Sequence, residues 1–323
     1  MRRSARCFFK VAVLGASGAI GQPLCLALVQ NRRVSELRLY DIISPLGEVI
    51  DLSHIPRKVK VTGYTIKEIR RALEDADLVL VTAGIPRHPG MFREDLFNAN
   101  KYVIQELSVE VAKHAPRAII GIISDPLNSM IAVAAETLRQ AGVYDPQKLC
   151  GLTALDTLRA KSMLADFTGK DPELLHFPVV GGHSGQTIVP LFSQSGIRLT
   201  REEAEYLTHR VRRGGDAVVN AKKGRGSSSL SAAFGTADWV DCVLKALDGE
   251  EGLVRSTMVE SPLFPEKALF FASPVEFGRE GVKRVLPLPP MNEYEEEQLD
   301  RCLADLEKNI RKGLQFIAAK PPD

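Results

Sequence analysis

The chain has 323 residues, which at roughly 150 residues per domain predicts about two domains and ample length for a hydrophobic core. Hydrophobic residues make up 45% and charged residues 25% of the sequence, a composition typical of a folded globular protein and not of a disordered or fibrous one. The formal charge is +2, so no net charge favours nucleic acid as a partner. No apolar run approaches the roughly 20 residues that cross a bilayer, and we expect no membrane span.

The cysteines and the chain ends bear on the compartment. Five cysteines are scattered without a CxxC pair or a histidine at ligand spacing, which predicts reduced thiols and no metal site. The first nine residues contain three arginines and no acidic side chain. They fit a very short mitochondrial presequence, and equally a solvated tail on a cytoplasmic protein. The chain does not end in the peroxisomal Ser-Lys-Leu signal.

The first half of the chain alternates between apolar strands and helical segments. A β-branched run from Val11 to Leu14 stops at Gly15, and a helical stretch follows from Ile20 to Val29. Continuous apolar strands of this kind, alternating with helices, predict an α/β fold with a Rossmann-type doubly wound parallel sheet. The further predicted strands are 37–41, 78–82 and 118–124, with helical segments near 66–73 and 95–114.

The pattern changes near Cys150, where longer helices surround shorter strands. This change predicts a second, α+β domain that carries the substrate or catalytic residues. We therefore assign residues 1–9 to the N-terminal tail or presequence, 10–150 to the Rossmann domain and 151–323 to the α+β domain. The predicted helices of the second domain are 155–166, 201–220, 230–247 and 292–318, and its clearest strands are 176–180 and 269–274.

A glycine-rich turn lies between the first strand and the first helix. Gly15, Gly18 and Gly21 give the spacing GxxGxxG, and glycines here let the backbone approach a pyrophosphate at a helix N-terminus. Asp41 follows twenty residues later at the end of the next strand, where a carboxylate can bind a ribose diol. The alternative for Asp41 is a strand-end cap. Together these residues predict a dinucleotide site that prefers NAD to NADP.

Two further groups of residues suggest chemistry on an anionic substrate. Arg87 and Arg93 lie in a loop with Pro and Gly, and they are either carboxylate ligands on a closing lid or solvated surface arginines. His183 follows a predicted strand and lies between glycines, a setting that suits a general acid and base. Asp156 and Arg159 share a helix face, so one can orient the histidine while the other binds a carboxylate, although a plain ion pair fits as well.

In these motifs the chain resembles the NAD-dependent malate dehydrogenases of the mitochondrial and bacterial type, within the lactate/malate dehydrogenase superfamily. The resemblance runs from about Lys10 to the C-terminal helix. It is carried by segments 11–21, 39–41, 51–55, 83–93, 95–98 and 181–185, together with Asp156 and Arg159.

The resemblance implies a homodimer that reversibly oxidises malate to oxaloacetate with NAD. It implies that His183 is the general acid and base and that Asp156 stabilises its imidazolium. It further implies that Arg159 binds the carboxylate next to the reacting carbon, Arg87 the distal carboxylate, and Arg93 the carbonyl. The residues implied to bind or border the cofactor are Gly15, Gly18, Ala19, Ile20, Gly21, Asp41, Asn100, Ile123, Ser124 and Ala232.

Three positions depart from the family pattern. Asp125 replaces an asparagine that donates a hydrogen bond to the substrate oxygen, and an ionised carboxylate only accepts. A protonated Asp125 raised in pKa by burial, or neutralisation by Arg93, would restore the function. Ala232 replaces a methionine near the nicotinamide, and Ala19 replaces a glycine.

These departures leave three readings of the function. The first is an active malate dehydrogenase that tolerates Asp125. The second is a 2-hydroxyacid dehydrogenase with a shifted substrate, for which Asp125 and Ala232 are the discriminating residues. The third is a weakly active or non-catalytic homologue that binds NAD without turnover.

Overall fold

In the part of the chain that the structure describes, eleven strands form one continuous sheet, whose first part is parallel. The computed structural model describes residues 8–85, 90–91 and 93–319. In the first half, the strands are β1 (Phe9–Leu14), β2 (Val34–Tyr40), β3 (Lys60–Tyr64), β4 (Leu78–Val81), β5 (Ile119–Ile122) and β6 (Leu149–Gly151). The helices between them are α1 (Gly21–Gln30), α2 (Leu46–Ser53), α3 (Ile69–Leu73), α4 (Arg93–His114) and α5 (Leu127–Gln140).

The parallel strands stand in the order β3-β2-β1-β4-β5-β6. The order reverses at β1, where β2 pairs on one side and β4 on the other. In such doubly wound sheets, ligands bind at the carboxyl ends of the strands flanking this switch point. The predicted Rossmann-type fold is therefore confirmed, and it directs attention to the ends of β1, β4 and β5.

The second half extends the same sheet with antiparallel strands. Gly151 in β6 pairs with Met258 in β9, which joins the two halves of the chain through backbone hydrogen bonds. The strands here are β7 (Val179–Gly181), β8 (Ile188–Pro190), β9 (Val254–Glu260), β10 (Phe270–Gly278) and β11 (Gly281–Val285). The helices are α6 (Ala154–Thr168), α7 (Arg201–Ala221), α8 (Ser229–Asp248) and α9 (Glu293–Ala318).

Two large apolar clusters cover the two faces of this sheet. One contains α5, which packs against α4 and α9 and is buried over most of its length. The other contains α1 and α8, with Trp239 fully buried and its indole Nε1 donating to Thr257 Oγ1 at 3.1 Å. Packing on both faces holds the strand ends, and with them the site, in a fixed arrangement. None of the helices within the described ranges is long and apolar enough to cross a membrane.

Candidate active site

A cavity of about 320 Å³ lies where the carboxyl ends of β4 and β5 meet α6, β7 and α8. It is lined by residues from both halves of the chain, which the joint between β6 and β9 brings together. Most of the predicted site residues line it. These are Gly18, Ala19, Ile20, Asn100, Ile123, Ser124, Asp125, Asp156, Arg159, His183 and Ala232.

Three of the predicted residues that the structure describes are not among those that line this cavity. Gly15, Gly21 and Asp41 lie in or beside the glycine turn at its edge. Arg87 lies outside the described residues, and no side-chain position is described for Arg93. Residues 1–7 of the predicted tail also lie outside the described part of the chain.

His183 and Asp156 form the central pair of the cavity. His183 Nδ1 lies 2.6 Å from Asp156 Oδ2, and the Asp156 side chain is only 1% exposed. Burial disfavours the imidazolium, but the Asp156 carboxylate outweighs it and, with Asp125, raises the pKa of His183 above its ordinary value. Because Asp156 occupies Nδ1, the proton that His183 exchanges with a ligand is at Nε2.

The backbone around His183 depends on its two preceding glycines. Gly181 ends β7 with a φ of +100°, and a Cβ there would lie 2.2 Å from the Thr187 carbonyl oxygen. A Cβ on Gly182 would lie 2.7 Å from Asn128 Oδ1. Asn128 in turn accepts the His183 backbone N–H at 2.8 Å. These close approaches fix the histidine at the end of the strand.

Arg159 lies one helical turn after Asp156, as its spacing predicts. Its Nη1 is 3.6 Å from Asp156 Oδ1, and its Nη2 donates to Ser228 Oγ at 3.3 Å. The side chain passes directly over α7, where a Cβ on Gly214 would lie 2.3 Å from Arg159 Cδ. Gly214 therefore makes room for the guanidinium to reach the cavity.

Asp125 faces the other nitrogen of the histidine. Its Oδ1 lies 4.0 Å from His183 Nε2, and its side chain is 56% exposed. The side chain is therefore too exposed for the burial that was expected to keep Asp125 protonated. The imidazole thus lies between two carboxylates, and both favour its protonated form.

Asn100 joins the ends of two neighbouring strands. Its Oδ1 accepts the Ile85 N–H at 2.7 Å, and its Nδ2 donates to the Asp125 carbonyl oxygen at 2.7 Å. Ser124 Oγ also crosses between these segments, donating to the Ala83 carbonyl at 2.6 Å. Both side chains therefore organise the cavity wall through the backbone.

The glycine turn provides the close backbone contacts that the sequence predicts. A Cβ on Gly21 would lie 2.2 Å from the Gly15 carbonyl oxygen, and one on Gly15 would lie 2.5 Å from Ala83 N. Asp41 Oδ2 accepts the backbone N–H of Ser17 at 2.9 Å, and Oδ1 accepts that of Ile43 at 3.3 Å. Asp41 thus accepts hydrogen bonds from its own loop and from the glycine turn, and its predicted contact with a ribose diol stays a prediction.

Three residues that shape the site are absent from the sequence-based prediction: Asn128, Gly214 and Ser228. Two adjacent glycines within a helical segment are the one available signal, because a glycine inside a helix usually has a packing reason. Asn128 and Ser228 act through contacts to distant parts of the chain, which the sequence pattern does not reveal.

The described residues include no group of His, Cys, Asp and Glu that could hold a metal ion.

Comparison with known proteins places both halves of the chain in one family. The model of the lactate/malate dehydrogenase NAD binding domain matches residues 9–151. The model of the lactate/malate dehydrogenase alpha/beta C-terminal domain matches residues 153–317.

Named relatives match over nearly their whole length. The mitochondrial malate dehydrogenase of Saccharomyces cerevisiae is 44% identical over 97% of this chain and 95% of its own. That of Schizosaccharomyces pombe is 45% identical over 96% of this chain and 92% of its own. The glyoxysomal malate dehydrogenase of Oryza sativa is 44% identical over 96% and 87%.

Solved structures agree with this assignment. The crystal structure of Cryptosporidium parvum malate dehydrogenase superposes with a TM-score of 0.82 at 25% identity, covering 95% of this chain and 99% of that one. The malate dehydrogenase of Plasmodium falciparum has the same fold, with a TM-score of 0.84 at 24% identity over 96% and 99%. The chain therefore belongs to the lactate/malate dehydrogenase family.

Proposed function

We propose that this chain is an NAD-dependent malate dehydrogenase that reversibly oxidises (S)-malate to oxaloacetate. The observation that carries the proposal is the His183–Asp156 pair, 2.6 Å apart in a cavity that also holds Arg159. The imidazole, oriented by a buried carboxylate, supplies the acid-base group at Nε2. The guanidinium supplies the ligand for the carboxylate of a 2-hydroxy acid.

The glycine turn fits NAD. Its glycines leave the backbone bare at the start of α1, and that helix begins without a side-chain cap. Such a helix N-terminus would hold the pyrophosphate, and Asp41 would accept hydrogen bonds from the ribose diol. When bound, the cofactor would supply the acceptor for the hydride that leaves C2 of the hydroxy acid. Gly15, Gly18, Ala19, Ile20 and Gly21 form the turn, and Asn100, Ile123, Ser124 and Ala232 border the nicotinamide end.

His183 handles the proton of the reaction. In the oxidation of malate, neutral His183 accepts the hydroxyl proton at Nε2, and in the reverse reaction the imidazolium returns it to the carbonyl oxygen. Asp156 fixes the proton at Nδ1 and stabilises the imidazolium through its short hydrogen bond. Arg159 binds the carboxylate next to C2, because its guanidinium enters the cavity beside this pair.

The arginine loop sets the preference for a dicarboxylate. By resemblance to the family, Arg87 binds the distal carboxylate and Arg93 polarises the carbonyl oxygen. These two roles predict that oxaloacetate is reduced far faster than pyruvate, which lacks the second carboxylate. A low ratio between the two substrates would favour the alternative function, a 2-hydroxyacid dehydrogenase with a shifted substrate.

Asp125 is compatible with the reaction through its position opposite Nε2. A carboxylate 4.0 Å from that nitrogen stabilises the imidazolium that forms when malate is oxidised. It does not donate to the carbonyl oxygen, so that role passes to Arg93 and to protonated His183. The cost is repulsion of a dianionic substrate, which raises KM.

The test is NADH oxidation with oxaloacetate, followed from about pH 5 to pH 9 in the wild type and in Asp125→Asn. We expect turnover in both proteins, with the alkaline limit of activity at lower pH in the variant, because removing the carboxylate lowers the pKa of His183. His183→Asn serves as the inactive control. Tight NADH binding without turnover on any 2-oxo acid would reject the dehydrogenase function and favour a non-catalytic homologue.

The two sequence regions contribute different groups. Residues 10–150 form the Rossmann domain, which binds the cofactor and supplies Arg87 and Arg93 to the substrate. Residues 151–323 form the α+β domain, which supplies Arg159 and the acid-base pair, and residues 1–9 are a tail or presequence. By resemblance we place the protein in mitochondria, with the cytoplasm as the alternative. Fusing the first nine residues to a fluorescent protein tests whether they direct import, and a cytoplasmic signal would contradict the presequence.

The homodimer implied by the resemblance has a suitable surface. Three helices, α2, α1 and α8, lie in contact in that order and expose large apolar side chains. Sedimentation velocity should give twice the chain mass of 35.4 kDa. A monomer at micromolar concentration would contradict the dimer. The large apolar side chains that these three helices expose are Leu26, Leu46, Ile50, Leu230 and Phe234.

A further inference from the structure

A second cleft adjoins the active-site cavity, and Arg212 and Asp216 line both. Its volume is about 560 Å³, and it is enclosed by the turn after His183, by α7 and by the first turns of α9. Cationic side chains come from two of these elements, since Arg212 and Arg213 lie on α7 and Arg301 on α9. The cleft also contains the imidazole of His209.

Arg212 is half-buried and is bonded to neutral groups. Its guanidinium donates to the Ile188 carbonyl at 2.9 Å, to Gln186 Oε1 at 2.7 Å and to Gln298 Oε1 at 2.9 Å. A fourth bond goes to the Gln186 carbonyl at 3.2 Å, which leaves one of its five N–H groups for another acceptor. Within the described ranges no carboxylate forms an ion pair with it. Burial accordingly lowers the pKa of Arg212 below its ordinary value.

The carboxylates that line the cleft have other partners. Asp216 pairs with Arg213 at 3.0 Å, and Glu205 pairs at 3.1 Å with Arg201, which is not a lining residue. Among the described residues, the one carboxylate near Arg301 is that of Glu297, at a long distance of 3.9 Å. Three guanidinium groups and two carboxylates line the cleft, an excess of one positive charge, and Arg212 is the lining guanidinium for which the described residues provide no ion pair.

A cation that is partly removed from water and has no anion beside it carries a free-energy cost, and binding an anion offsets this cost. Guanidinium groups bind phosphate oxygens through paired N–H donors, and donors that converge from separate elements suit a group with several oxygens. We propose that this cleft binds a small molecule with two linked phosphate-type anionic groups, in which Arg212 is the inner contact and Arg213 and Arg301 are the outer contacts.

Such a ligand would be linked through Arg212 to the backbone that follows His183. Arg212 holds both Gln186 and Ile188, which directly follow the turn at His183. The proposed site is distinct from the glycine turn, because no residue of that turn lines the cleft. Binding is measured without turnover, so this proposal stands or fails independently of the proposed dehydrogenase function.

The experiment is calorimetric titration of inorganic pyrophosphate into the full chain saturated with NADH, which keeps the coenzyme site filled. The test variant is Arg213→Gln with Arg301→Gln, two exposed side chains whose loss leaves the core intact. The matched control is Arg210→Gln, on the same helix but outside the cleft, where it pairs with Asp166 at 3.7 Å.

We expect one site in the wild type, affinity reduced at least about tenfold in the double variant, and affinity within about twofold of wild type in the control. The loss of two charge-assisted contacts accounts for the expected reduction. Absence of binding to the wild type would overturn the proposal. So would equal binding by the double variant, which would place pyrophosphate elsewhere, or an equal loss in the Arg210→Gln control, which would indicate only a general charge effect.

Discussion

Replacing Asp156 by asparagine tests whether the buried carboxylate works through His183. The change keeps the shape of the side chain but removes the charge that faces Nδ1 at 2.6 Å. The Asp156 side chain is 1% exposed, so water does not replace the lost interaction. Breaking a buried ion pair costs about 3–5 kcal/mol, and each 1.36 kcal/mol in the barrier is tenfold in rate, so kcat/KM should fall about 150- to 5000-fold.

The assay is NADH oxidation by oxaloacetate, with NADH binding measured separately by fluorescence. We expect unchanged NADH binding, because Asp156 belongs to the substrate side of the cavity. Asp238→Asn is the matched control, since it removes the same charge from an exposed pair with Arg255 and should keep full activity. The variant that combines Asp156→Asn with His183→Asn should be about as slow as His183→Asn alone.

Two results would refute this reasoning. A loss of less than about tenfold in Asp156→Asn would mean that the carboxylate does not stabilise the imidazolium. An additive loss in the double variant would mean that Asp156 acts on the substrate or on Arg159, and not through the histidine.

Three further predictions concern the support of the site and the core. Gly214→Ala should raise KM for oxaloacetate at least about tenfold with little change in NADH binding, because the new Cβ would lie 2.3 Å from Arg159 Cδ; an unchanged KM would exclude this packing role. Burial lowers the pKa of His183, but Asp156 raises it by more, so the pKa lies above the ordinary value of 6.5. The protonated His183 therefore stabilises the fold fully below pH 6.5, and this stabilisation is lost as the pH rises through the raised pKa. The difference in Tm between wild type and His183→Asn should therefore shrink from about pH 5 to about pH 9, and a difference that grows would contradict the sign. Thr257→Val should lower the free energy of unfolding by about 1–3 kcal/mol in a urea titration, since it leaves the buried Trp239 N–H without its acceptor, and no loss would show that another acceptor replaces it.

Local patterns were sufficient to predict the parts of the fold with clear periodicity. The strands that become β1, β4 and β5 contain short apolar runs that end at a glycine or a polar residue, and the long helices α7 and α9 have amphipathic patterns. The sequence analysis missed β3, whose Lys60 and Gly63 are exposed at the edge of the sheet. It also missed α5, in which Asn128, Ser129 and Thr137 are buried, so that polar residues do not mark an exposed face.

The candidate site was predictable where a residue acts by its own chemistry. His183, Asp156 and Arg159 could be proposed because their chemical types and local spacing suit a carboxylate substrate. Asn128 and Gly214 could not, since each acts by contact with a residue more than 50 positions away in the chain. Asp125 could be recognised as unusual, but its exposure and its distance to Nε2 required the fold.

The joint between β6 and β9 has a consequence for synthesis on the ribosome. Until Met258 emerges, the edge of β6 that faces away from β5 has no partner strand, and its backbone groups are open to pairing with other chains. More than 100 residues separate the two positions, so at 5–20 residues per second the edge stays open for roughly 5–20 s. During this interval the nascent first half relies on the shortness of β6, because a strand of three residues offers few backbone groups on which another chain could pair.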